Sequence, residues 1–259
     1  AEEALFFGRS DVIPQEFGGF DQLIRQDTLF GTTNVIDMRD QPLNYDAVAQ
    51  AAEISEYNYT SGTNLSLYLS PGALSDLGKQ QQVKERLVMP APQEGIIGSP
   101  VHTIRTTSGD VALKKDIFLR PGRDNGNKKA PSAATATRAP AAPITGAYAT
   151  NLGATTGSLF LAADVGTFQY KVTAVNRYGE SAALQETGGA AISAAGDGMQ
   201  LVITDGGGET ATGYRVYRSR VGGAAGTEEF IFAVPRQGAT TTVVDLNRYL
   251  PGCSRAYLF

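Results

Sequence analysis

Between Thr167 and Ser181 the chain alternates with a period of two, Phe168, Tyr170, Val172, Ala174 and Asn176 against Gln169, Lys171, Thr173 and Val175. That pattern predicts a β-strand with one face in a core and the other toward solvent or a second sheet. The strand breaks at Tyr178-Gly179-Glu180-Ser181, where glycine is expected to supply a backbone conformation that bulkier residues avoid. Similar apolar runs predict strands over 157–162, 166–176, 199–204, 213–219, 229–234 and 240–244. Gly206-Gly207-Gly208 and Gly222-Gly223 lie between them as turns. Strands at roughly ten-residue intervals separated by turn signals point to an all-β sandwich.

The first half follows a different pattern. Asp46-Ala47-Val48-Ala49-Gln50-Ala51-Ala52-Glu53-Ile54 has apolar positions at helical spacing, with Asp46 near the positive end of the helix. Leu65-Ser66-Leu67-Tyr68-Leu69 predicts a short strand. Ser70 and Pro71 then open a helix over 73–82, Ser70 as N-cap and Pro71 in the first turn. Ile96-Ile97-Gly98 precedes a strand over 101–106, and Gly109-Asp110 turns the chain into another that runs to Asp116. Between the halves, residues 128–143 are rich in Ala, Pro, Thr and Ser, the composition of a semi-extended linker.

Composition narrows the classes without choosing among them. With 259 residues the chain has room for one large domain or two ordinary ones. Hydrophobic residues at 42% and charged residues at 19% describe a globular protein rather than a disordered one. A net charge of −4 argues against a dedicated nucleic-acid binder. No run of about 18 apolar residues is present, so no membrane span is expected. Cys253 is the single cysteine, which excludes an internal disulfide. The start at Ala1, without methionine or signal region, reads as a fragment or a processed form. The sequons at Asn58 and Asn64 come with no secretory signal and read as chance.

Candidate chemistry is sparse. His102 is the one histidine, expected in a strand as a packed or surface residue, and it nominates no Ser-His-Asp arrangement. Gly206-Gly207-Gly208 has no following helix and reads as a hairpin turn rather than a phosphate cradle. Asp37, Asp40 and Asp46 lack the spacing of a calcium loop and read as solvated or capping residues. One Cys and one His do not make a structural zinc site. Lys114-Lys115 and Lys128-Lys129 read as solvated basic pairs, with an interface or packaged DNA as the other reading. No catalytic, cofactor-binding or metal-binding residue is nominated.

Two resemblances fill that gap. The stretch Y-x-V-x-A-x-N-x-x-G-E-S at 170–181 resembles the penultimate strand and following turn of fibronectin type III domains. Gly213-Tyr214-Arg215-Val216-Tyr217-Arg218 resembles that family's third strand and Thr240–Asp245 its fifth, yet both come later in the chain. A circularly permuted sandwich is the implied arrangement, and permutation is tolerated where termini lie close together. The family's second-strand tryptophan is absent, so Leu201 or Ile203 is expected in its core position.

The other resemblance is to tailed-bacteriophage major capsid proteins of the Hong Kong 97 type. It rests on Ala1–Gly8 with Asp11–Phe20, on Asn34–Leu43, on Tyr68–Leu77, on Thr107–Leu119 and on the closing Asn247–Phe259. The resemblance implies an α+β capsid-type domain from 1–127 and 246–259, the 128–143 linker, and an inserted immunoglobulin-like sandwich over 144–245. The family's N-terminal arm, extended loop and most of its spine helix are not matched. The implied function is a structural, non-enzymatic subunit of an icosahedral head shell, with the sandwich projecting outward. Its implied partners are copies of itself in pentamers and hexamers, scaffold and portal proteins, and packaged DNA facing the inner wall without specific binding. The insert is expected to make weak host-surface or glycan contacts. The setting is the virion, assembled in the bacterial cytoplasm, with no membrane and no cofactor.

The alternative from another class is a virion tail or adhesion protein whose sandwich binds host surface or glycans. A third, a carbohydrate-active enzyme, would need paired carboxylates. Glu53 and Glu56, three residues apart on a helix, are the pair to test, and a solvated helix face is their plain reading.

Overall fold

The computed structural model describes residues 2–26, 34–39, 41–59, 64–85, 102–119, 128–144, 148–187, 190–253 and 255–258. Asp40, Val101 and the Ile96-Ile97-Gly98 turn lie outside these residues. The architecture is mixed α/β with most elements β. Two compact units divide the chain, Ala1–Gln22 with Asp124–Cys253, and Leu23–Arg123 with Ser254–Phe259.

The second unit is built around strand β1 (Asn64–Leu69), whose leucines at 65, 67 and 69 are buried on one face by the period of two. β1 runs parallel to β3 (Gly109–Lys115) and antiparallel to the closing strand β13 (Tyr257–Leu258), while β2 (Thr103–Thr106) forms a hairpin with β3. The sheet order is therefore β13-β1-β3-β2. Helices α3 (Tyr45–Tyr59) and α4 (Pro71–Glu85) supply Val48, Ala52 and Leu77 to a core shared with the β1 leucines, Ile104 and Val111. Both helices start at side-chain caps. Ser70 Oγ accepts from Ala73 N at 3.2 Å, as expected, and Asn44 Oδ1 accepts from Ala47 N at 2.8 Å. Asp46 lies in the first turn of α3, so its carboxylate favours the positive helix end while Asn44 makes the cap.

The first unit holds a sandwich. One sheet has the order β11-β10-β6-β7, from Glu229–Pro235, Gly213–Arg218, Tyr170–Val175 and Leu184–Gln185. The other has β12-β9-β4, from Thr240–Asp245, Asp197–Thr204 and Ala149–Ala154. A pair, β5 (Gly166–Phe168) with β8 (Ala190–Ile192), completes it. Both larger sheets contribute to one apolar core, Tyr170, Val172, Tyr214 and Val216 from the first and Met199, Leu201 and Ile203 from the second. Leu201 and Ile203, expected to stand where a tryptophan is missing, are both buried in it.

Several details depart from the sequence pattern. The long alternating strand is split at Gln169, so that β5 joins one sheet and β6 another. Residues 157–162 form no strand, because Asp164 Oδ2 accepts from Leu161 N at 2.9 Å and closes a short 3-10 turn over Ala162–Asp164. β4, rich in small residues, gave no alternating signal. Gly206-Gly207-Gly208 is not a hairpin turn, since β9 and β10 belong to different sheets and the glycines carry the chain across.

The outer face of the β11-β10-β6-β7 sheet is not solvated. Thr173 and Val175, expected on the polar side of the alternation, are buried with Tyr217. Val12 and Ile13 from the N-terminal segment pack there with Val175, Tyr217, Phe230 and Ala233, joined by Ala130. Residues 1–22 and 246–253 thus cluster with the sandwich, not with the α/β unit to which the capsid resemblance assigned them.

Residues 128–143 likewise form a strap rather than a free linker. Phe230 N donates to Lys128 O at 2.9 Å, Ala183 N to Pro131 O at 3.1 Å and Thr135 N to Glu180 O at 2.8 Å. Asn176 Nδ2 donates to Arg138 O at 2.9 Å, and just beyond, Ile144 N donates to Thr204 O at 3.0 Å. Pro140 and Pro143 are buried, but most of the strap's alanines are exposed or half-buried, so much of its hold comes from backbone groups finding partners on the sandwich edge. At Gly206 a Cβ would sit 1.9 Å from Ala142 O, so only glycine lets the strap pass.

Candidate binding groove

The turn after β6 is where the strap, the N-terminal segment and the sheet converge. Asn176 Oδ1 accepts from Tyr178 N at 2.9 Å and Gly179 N at 3.1 Å, folding the turn back on itself. Gly179 is outside the left-handed region, contrary to the sequence expectation. Its lack of a side chain matters because a Cβ would come within 2.7 Å of Thr135 Oγ1 on the strap.

Glu180 follows, with its carboxylate buried under the strap. Oε2 accepts from Lys128 Nζ at 2.8 Å and Arg215 Nη1 at 2.6 Å, while Oε1 accepts from Thr173 Oγ1 at 2.7 Å and from Tyr217 Oη. Burial alone would raise its pKa, but the charges of Arg215 and Lys128 outweigh it and bring it to about 2. Burial pushes the Tyr217 hydroxyl up, and the Glu180 carboxylate beside it adds to the shift. Glu180 therefore stays ionised at neutral pH and serves as an anchor for two cations, not as a general acid.

Around this anchor lies an open groove of about 370 Å³. Gln15 and Glu16 of the N-terminal segment line it together with Arg177, Tyr178 and Arg215 of the sandwich. Arg177 is exposed; its guanidinium lies 4.4 Å from the Tyr178 ring centroid and it hydrogen-bonds the Tyr178 hydroxyl. Arg138, from the strap, lies 3.9 Å from the same ring and is paired with Glu209 at 3.3 Å.

A second charged cluster in this unit is closed to solvent. Arg218 and Asp245 form an ion pair with each side chain 1% exposed. Arg218 Nη2 also donates to Asn247 Oδ1 at 2.6 Å, and Tyr170 Oη donates to Asp245 Oδ2 at 2.9 Å. The guanidinium carbon stands 5.2 Å from the ring centroids of both Phe160 and Phe168. Burial opposes the Arg218 charge, and Asp245 restores it. This cluster ties the end of β12 to β10 and β6 and offers no entry to a ligand.

Of the residues weighed as candidate chemistry, one lines the groove. His102 is exposed just before β2, not within a strand as expected. Glu53 and Glu56 are exposed on α3, and Asp37 is an exposed turn residue that accepts from Arg39 N at 3.0 Å. Lys114 and Lys115 are exposed on β3, and Lys129 pairs with Glu229 at 3.2 Å. Lys128 is the exception, half-buried on Glu180 instead of solvated. Arg177, Glu180 and Arg215 were not nominated. A signal existed for one of them: Glu180 directly follows the strand break, where a carboxylate with no local partner implies a distant one. Among the described residues no group of three or more His, Cys, Asp or Glu could hold a metal ion, and no helix is long and apolar enough to cross a membrane.

No family model, curated protein or solved structure matches the chain.

Proposed function

We propose that this chain is a structural subunit of a bacteriophage head shell, in which the strap-bound sandwich is an insertion. The carrying observation is the pairing of β13 with β1. Residues 257–258 return, after the whole sandwich, to the sheet begun at residue 64, so the α/β unit is interrupted and then closed by its own last strand. That is the arrangement the closing segment's resemblance to capsid proteins implies. A shell subunit needs repeated self-complementary contacts and no reaction chemistry, and many modest contacts then hold together by multivalency.

The sheet orders support the permuted immunoglobulin-like reading of the insert. In that fold the second and fifth strands share one sheet and the third and sixth the other. β9 pairs with β12 and β10 with β6, although β6 comes first in the chain. Electron microscopy of the full-length product, co-expressed with its scaffold, tests the reading. Closed shells bearing surface knobs are expected, and knobs should vanish when residues 124–253 are excised. Small rings or monomers under every condition overturn it. In that case the exposed groove on the sandwich favours the adhesion reading, since it is the sandwich that would do the binding.

A further inference from the structure

We propose that the groove beside the Asn176–Glu180 turn binds an acidic peptide segment, with Arg177 as the residue that receives its carboxylate. In a chain of net charge −4, this groove brings three cations, Lys128, Arg177 and Arg215, against two carboxylates, Glu16 and Glu180. One of those carboxylates, Glu180, is shared by two of the cations. Arg177 has no carboxylate partner among the described residues, and Tyr178 holds its guanidinium from the side. A planar fork held in place loses little freedom on meeting a carboxylate, and such pairs are frequently bidentate.

The amides of Tyr178, Gly179 and Glu180 are not available to cradle a tetrahedral anion. Phosphate or sulfate is usually received by converging backbone amides. Here the amides of Tyr178 and Gly179 are spent on Asn176 Oδ1, and that of Glu180 on Thr135 Oγ1 at 2.7 Å. What remains directed outward is side-chain guanidinium. The groove is open rather than enclosed, which suits a peptide side chain better than a buried small molecule. Every lining residue belongs to the first unit.

The test is fluorescence anisotropy of a labelled oligoglutamate peptide titrated with the intact chain at low salt. Arg177→Ala should weaken binding about tenfold, the equivalent of one charge-assisted pair. Arg177→Lys should recover only part of it, because the ammonium lacks the fork. Lys115→Ala, which removes an exposed cation on β3, should leave binding unchanged. Arg177 is exposed, so its variants are expected to keep the wild-type circular dichroism spectrum and melting temperature. Equal losses for Arg177→Ala and Lys115→Ala, or no binding by the parent, overturn the proposal. So does a sulfated oligosaccharide that binds at Arg177 more tightly than the peptide.

Discussion

The two units bury similar apolar strands yet treat charge in opposite ways. In the sandwich unit, carboxylates go inside with their partners: Asp245 with Arg218, Glu180 with Lys128 and Arg215, Glu228 with Lys171 at 3.1 Å. In the α/β unit, Lys79 pairs with Asp76 and Arg105 with Asp110 at the surface, and Arg39 with Asp37 in a part-exposed turn. Its described core is aliphatic, Leu, Val, Ile and Ala. The difference follows from shape. Sandwich sheets here must be crossed and covered by irregular chain, which brings polar backbone and charged side chains inward. A helix covering a sheet satisfies its own backbone and needs no such anchors. Charge substitutions should therefore be costly in one unit and nearly silent in the other.

The largest effect is expected from Arg218→Ala. It leaves Asp245 buried without its counter-ion, at a cost of about 3–5 kcal/mol, to be read from denaturant unfolding of the sandwich unit. A double change to apolar residues of similar volume at 218 and 245 should recover much of that loss, which would mark the pair as a source of specificity more than of net stability.

Glu180 comes next, and its signature is a pH window. Its folded pKa of about 2 lies below the ordinary carboxylate value of 4.5, so its ionised form stabilises the fold. That contribution, on the order of 3 kcal/mol, is fully present above about pH 4.5 and lost as the pH falls through about 2. Glu180→Gln should therefore melt lower than the parent at pH 7, and the gap should close in acid. A gap that stays constant with pH would mean that shape rather than charge holds the strap. Proteolysis within residues 128–143 should quicken in the same variant.

Within the α/β unit the effects shrink. Ser70→Ala removes the N-cap of α4 and should cost about 1 kcal/mol. Lys79→Ala removes one partner of an exposed pair and should change stability by less than about 0.5 kcal/mol. A Lys79 effect as large as that of Glu180 would erase the contrast between the units.

The sequence was most legible where one local rule operates. Leu65, Leu67 and Leu69 on one strand face, Ser70 before α4, and the apolar runs of β9, β10, β11 and β12 all carried their own signal. Illegible were contacts made by residues far apart in sequence. Arg215 reads as an ordinary outward strand residue until Glu180 meets it across 35 positions. Arg218 is different, because it shares a face with Tyr214 and Val216, so the alternation already set a charge toward the core and only its partner was hidden.

By itself, then, the sequence determined most of the strands, the helices α3 and α4 and the apolar face of β1, because periodicity and capping depend on neighbours within a few residues. Tertiary structure alone decided that 128–143 is a strap, that 1–22 belongs with the sandwich, and that Lys128, Glu180 and Arg215 meet. Those outcomes depend on which surface a segment finds to satisfy its polar groups, and that surface is assembled only when distant parts of the chain come together.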